Sequence, residues 1–171
     1  MESHAKALGH AIHQQLIPFP LGLLSTAVVF DLLRLVTDDD RYATAAFFMV
    51  AAGVITALTA AVFGLIDYYA IPRTTRAKRV GTVHGLGNVV VVVLFAIAWL
   101  LRRDDAARVA DGLALVVELA GVALLTVTGW LGGELVGRLA VGIDAEAGLD
   151  TPASFETTVR VARAGAATPA L

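Results

Sequence analysis

The chain has no cysteine among its 171 residues, which excludes disulfides, thiol catalysis and cysteine-ligated iron–sulfur clusters. It fixes no redox compartment. Charge is also scarce: 16% of residues are charged, and a net charge of −2 is too small to point to a nucleic-acid partner or to strong electrostatic steering. No nucleophile–base pair and no phosphate loop is visible, so a soluble-type hydrolase is not expected, and the chain does not read as an enzyme on its own. No internal repeat stands out. What is abundant is apolar: 57% of residues are hydrophobic and the mean hydropathy is +0.75. A soluble domain of this length would need far more polar surface.

The apolar residues fall in four stretches, at about 16–36, 43–71, 80–101 and 113–141. Each has about 20 residues or more, enough to cross roughly 30 Å of hydrocarbon at about 1.5 Å per residue. The expected fold is therefore all-α, an integral-membrane antiparallel four-helix bundle over 1–143. The remainder, 144–171, is rich in Ala, Thr and Gly and reads as a soluble, largely disordered tail with a short helix around 155–163. With Lys6 as its one basic residue and no cleavage site after it, the N-terminal apolar run reads as a retained anchor.

The connections carry the charges. Asp38, Asp39 and Asp40 lie in the first, Arg73, Arg76, Lys78 and Arg79 in the second, and Arg102, Arg103 and Arg108 in the third. Lys6, the second connection, Arg138, Arg160 and Arg163 put the larger share of Lys and Arg on the face of the termini. The positive-inside rule then places both termini in the cytoplasm of a multi-pass protein of the cell inner membrane.

Chemistry is sought where the spans break the apolar rule. His84 lies about four residues inside the third stretch, while His10 and His13 precede the first, and span counting puts all three on one face with Asp67 and Glu134. An intramembrane imidazole is a functional-site candidate by default. In an up-down bundle the first and third helices are diagonal, so His13 and His84 can face each other as the two axial ligands of a b-type haem. His10, three residues from His13, is the alternative first ligand. The blander reading leaves His10 and His13 wet at the interface.

Asp67 is suited to orient a histidine ring, or else pairs with Arg73 or Arg76; Glu134 has Arg138 one turn on. Gly81, Gly85 and Gly87 surround His84, and Gly129, Gly132, Gly133 and Gly137 line the fourth span. Such surfaces admit a macrocycle or a neighbouring backbone. On the opposite face Asp31 has Arg34 three residues on, and Glu118, with no partner in its own helix, is expected to meet Asp31 or Arg34 across the bundle or to lie near the interface.

Three function classes stand open. The first is an electron-transfer protein with haem b bound by His13 (or His10) and His84, with Asp67, Gly85 and Glu134 around it. The second is a transition-metal site of the same histidines with Asp67 or Glu134. The third is a non-catalytic scaffold or accessory subunit, docking a partner or a second copy through Gly129, Gly133 and Gly137.

The run Gly9-His10-Ala11-Ile12-His13-Gln14-Gln15-Leu16-Ile17-Pro18-Phe19-Pro20-Leu21-Gly22 resembles the opening signature G-H-P-x-H-P-x-L-V-x-F-P-x-G of the membrane family named domain of unknown function 2231. Phe30-Asp31, Gly64-Leu65-Ile66-Asp67, His84 with Asn88, and Gly129-Trp130-Leu131-Gly132-Gly133-Glu134 extend the likeness over about 9–142. Ala11 and Gln14 replace the two prolines that follow the histidines in the family pattern, implying a more helical entry. The resemblance implies a small bacterial-type membrane protein. Some relatives are joined to a Rieske iron–sulfur domain, which implies redox company, with a Rieske-type or other redox protein as partner.

Overall fold

The computed structural model describes residues 1–154, so the helix expected over 155–163 lies outside the described residues. The chain opens with a two-stranded antiparallel hairpin, β1 (Lys6–Ala7) and β2 (His10–Ala11). Leu8 and Gly9 turn it with φ of 51° and 85°, the pair of positive values that matches the twist of a tight hairpin.

Helix α1 (Ile12–Leu16) leads directly into α2 (Pro18–Thr37). Ile17 N–H bonds to His13 O and Leu21 N–H to Ile17 O, so the coil runs on through Pro18 and Pro20 as one apolar span, Ile12–Thr37. His13 is thus inside the first span, whereas the sequence placed it just before. The helix opens at Ile12, directly after Ala11, whose extended backbone (φ −62°, ψ 118°) turns the hairpin into it.

Three longer helices follow: α3 (Asp40–Ala70), α4 (Arg76–Arg102) and α5 (Gly112–Gly137). Asp39, Thr75 and Asp111 cap them, accepting from the N–H groups of Arg41, Lys78 and Ala114. The Thr75 cap draws the basic turn of Arg76, Lys78 and Arg79 into α4, ahead of the apolar stretch. Helix α5 stops at Gly137, short of the expected Val141, because Ala140 turns left-handed and Val141 N–H closes back on Leu135 O at 2.9 Å.

The helices form a square in which α2 packs on α3, α3 on α4, α4 on α5 and α5 on α2, with α2 and α4 diagonal. Small residues fill the contacts: Ala27 and Ala46 are fully buried in one cluster with Leu24, Val50, Val91 and Phe95, and Ala43, Ala98 and Ala114 are fully buried as well. Large apolar side chains face outward instead, among them Phe48, Ile55, Val62, Leu86, Val89, Val116 and Val127. Among the described residues four helices are long and apolar enough to cross a membrane. Small residues inside and large ones outside suit helices that pack closely in lipid.

The bundle is built of two like halves, a correspondence the sequence alone did not reveal. In the first half His13 and Leu24 lie against Gly64 and Gly53 of α3; in the second, His84 and Phe95 lie against Gly132 and Gly121 of α5. Each of these pairs is eleven residues apart along its own helix. A Cβ at Gly53 would come 2.5 Å from Leu24 Cδ2, and one at Gly121 would come 2.8 Å from Phe95 Cε2, so glycine sets the helix spacing in both halves.

Across the end of the bundle that bears the termini, the two ends of the described chain are tied together. The Met1 ammonium donates to Ala140 O at 2.7 Å and Gly142 N–H to Met1 O at 2.8 Å. Lys6 bridges Glu2 and Asp144 at 2.7 and 3.3 Å, and Ser154 Oγ donates to Leu8 O at 2.8 Å. The described part of the tail thus forms turns packed on the N-terminal segment.

Candidate functional site

His13 and His84 are held by the same device. His13 Nδ1 lies 2.8 Å from Ala60 O, and its ring rests on Gly64, one turn further along α3. His84 Nδ1 lies 2.8 Å from Thr128 O, and its ring rests on Gly132, one turn further along α5. A carbonyl can only accept, so each Nδ1 carries a proton, and in the neutral ring Nε2 is the nitrogen with the lone pair. Asn88 Nδ2 donates to His84 Nε2 at 3.1 Å; no described residue bonds to Nε2 of His13.

The other residues expected here have other partners. His10 is exposed on β2. Asp67 is buried but faces the N-terminal segment: Ser3 Oγ and the His4 backbone N–H each approach it at 2.8 Å. Neither a histidine ring nor Arg73 or Arg76, its expected partners, bonds to it. Arg76 goes instead to Glu134, at 2.7 Å, while Arg138 reaches the same carboxylate at 3.7 Å from one turn below. Among the described residues no group of three or more His, Cys, Asp or Glu is placed to hold a metal ion.

The glycines also divide. Gly87 receives the Thr128 methyl and Gly81 the Tyr68 ring, whereas a Cβ on Gly85 would meet open space. Gly129, Gly133 and Gly137 likewise meet nothing within 4 Å, so their side of α5 is unoccupied by the rest of the bundle.

At the opposite end lies a second polar cluster. Arg102 Nη1 meets Asp31 Oδ2 at 2.8 Å and Glu118 Oε1 at 3.5 Å, and the three residues are 1%, 3% and 0% exposed. Asp31 therefore pairs across the bundle rather than with Arg34, which bonds to Asp40 and Asp38 in the adjoining turn. Trp99, one turn before Arg102, stacks on Phe47 at 5.1 Å, and the Arg108 guanidinium lies 4.8 Å from the centre of the same Phe47 ring.

Sequence reasoning missed Ser3, the carbonyls of Ala60 and Thr128, and the burial of Arg102, which reads as the first residue of a charged loop. One signal was present. Arg102 follows His84 by eighteen residues, as Asp31 follows His13.

A family model described as "Predicted membrane protein (DUF2231)" matches residues 9–145, a span that holds both histidine cradles and the buried charges. No curated protein matches the chain. No solved structure matches it either.

Proposed function

We propose a function for this chain, which belongs to the DUF2231 family of membrane proteins: it carries electrons in the membrane, with a b-type haem held between His13 and His84. The observation that carries the reading is the matched pair of imidazoles, each with Nδ1 on a backbone carbonyl. That bond fixes the tautomer and ring orientation of an iron-ligating histidine. A bis-histidine haem takes two protein ligands, whereas a dedicated zinc site takes three or four, so two imidazoles held in the same way support the haem over zinc.

The haem would supply a one-electron couple at its iron. His13 and His84 would hold it through Nε2, with Ala60 and Thr128 keeping the rings oriented; Asn88 would give up its bond to His84 Nε2. Gly85, open to space, leaves room beside His84. Asp67 is held by the Ser3 hydroxyl and the His4 N–H, and Glu134 is paired with Arg76 and Arg138, so neither is turned to a histidine ring. The surplus of Lys and Arg on the face of the termini supports a cytoplasmic location for both, in the inner membrane, where a Rieske-type or other redox protein is the proposed partner.

The test is the absorption spectrum of protein purified in detergent from cells with ample haem, oxidised and then reduced. A Soret band that shifts on reduction is expected. Protein that is folded, haem-replete in its growth and yet free of a Soret band would overturn the reading.

A further inference from the structure

Asp31, Arg102 and Glu118 lie at the far end of the bundle from the histidines and take no part in holding them. Two carboxyls here converge on a single nitrogen, Arg102 Nη1. Asp31 takes the short contact and balances the guanidinium. Glu118 is fully buried, accepts no hydrogen bond at either oxygen among the described residues, and is the second negative group beside one positive group.

The likeness of the halves makes the same point. Asp31 and Arg102 are counterparts, whereas the counterpart of Glu118, placed as it is relative to Gly121, is Val50 beside Gly53. Glu118 is the charge without an opposite. Among the described residues the elements around the cluster supply no second cation: α2 gives Asp31, α4 gives Arg102, α3 gives the Phe47 ring, and Arg108 of the α4–α5 connection lies over that ring rather than on a carboxylate.

An unbalanced charge in a dry helix bundle costs more than an ionisable group bears, and the group takes up a neutralising ion instead. We propose that the cluster is a proton-binding site, in which Glu118 carries one exchangeable proton while Asp31 and Arg102 remain a fixed ion pair. Binding converts the Glu118 carboxylate and one aqueous proton into the neutral acid, and release reverses it. A metal cation is the other way to supply one positive charge, but it needs several oxygen ligands, and among the described residues no group of three or more His, Cys, Asp or Glu is placed to give them.

Infrared difference spectroscopy of the full chain in lipid vesicles tests this, by following the carbonyl band of protonated carboxyl groups near neutral pH. The wild-type protein is expected to show one such band from a buried acid, insensitive to replacing potassium by sodium in the buffer. Glu118→Gln and Asp31→Asn should each abolish it, because either leaves a neutral pair. Arg102→Gln should enlarge it about twofold, since both carboxyls must then be neutral. No band in the wild type overturns the proposal, and that measurement needs no variant to fold. A band that survives Glu118→Gln, or one that sodium removes, also overturns it, the latter by assigning the site to a cation.

Discussion

Asp31 and Arg102 occupy corresponding places in the two halves of the chain, each eighteen residues beyond its histidine, and they meet at 2.8 Å where the halves join. Removing the shared cation should therefore be the most damaging single change in the cluster. Arg102→Met leaves two buried carboxyls without a partner and should cost about 3–5 kcal/mol, the range for breaking a buried pair. Asp31→Asn leaves Arg102 with Glu118 and should cost clearly less. Equilibrium unfolding in mixed micelles measures both, and equal losses would contradict the arrangement.

The glycines under the imidazoles should be ranked by the room each has. A Cβ at position 64 would lie 2.7 Å from His13 Cε1, and one at 132 would lie 3.1 Å from His84 Cε1. Gly64→Ala should lower stability by about 1–3 kcal/mol as the ring is forced aside, with Gly132→Ala smaller but of the same sign. Gly85→Ala meets open space and should be neutral or stabilise by roughly 0.5–1 kcal/mol. The same unfolding measurement gives the order, and a harmful Gly85→Ala would break it.

For the histidines the expected pattern is sharper still. His13→Ala and His84→Ala should each remove the Soret band, while His10→Ala should leave it intact, because His10 is exposed on β2 and apart from the pair. Asn88→Ala should also retain the band, since the bond it makes to His84 Nε2 is the one that ligation replaces. Loss of the band in His10→Ala but not in His13→Ala would exchange the first ligand.

The N-terminal segment should loosen in acid. The hydrogen bond from Lys6, with further help from the Ala145 backbone N–H, lowers the Glu2 carboxyl from 4.5 to about 2. A group whose folded value is depressed stabilises fully above its unfolded value, and that contribution is lost as pH falls through the folded one. The tie between Glu2, Lys6 and Ala145 should thus hold above about pH 4.5 and weaken steadily towards pH 2. Amide exchange at Ala145 at equal intrinsic rates follows it, and Glu2→Gln should abolish the pH dependence. Exchange that is already fast at neutral pH would show the tie to be absent.

Hydropathy was enough to read the four helices and the bundle, because a chain with so few charges has few other ways to satisfy its backbone in lipid. Membership of the family was legible in the motifs around His10, Asp67, His84 and Gly132. Partners were not. Arg102 reads as a loop residue because its burial depends on Asp31, distant in sequence, and Asp67 reads as a histidine's neighbour because nothing local announces Ser3. Ala60 and Thr128 act through their carbonyls, which every residue has, so side-chain chemistry gives no hint of them. The two-half likeness escaped notice for a related reason: only glycines, a histidine and the reach of one side chain recur, while the apolar residues between them differ freely.

The opposite charges of Asp31 and Arg102 have a consequence for assembly. Two copies of the first half, joined as the halves are joined here, would set aspartate against aspartate in the centre of the bundle. The second half brings its own counter-charge, Glu118 beside Arg102, so it is the first half, whose Asp31 pairs with no cation of its own helices, that needs an unlike mate. A single chain carrying both ensures that the right mate is always at hand.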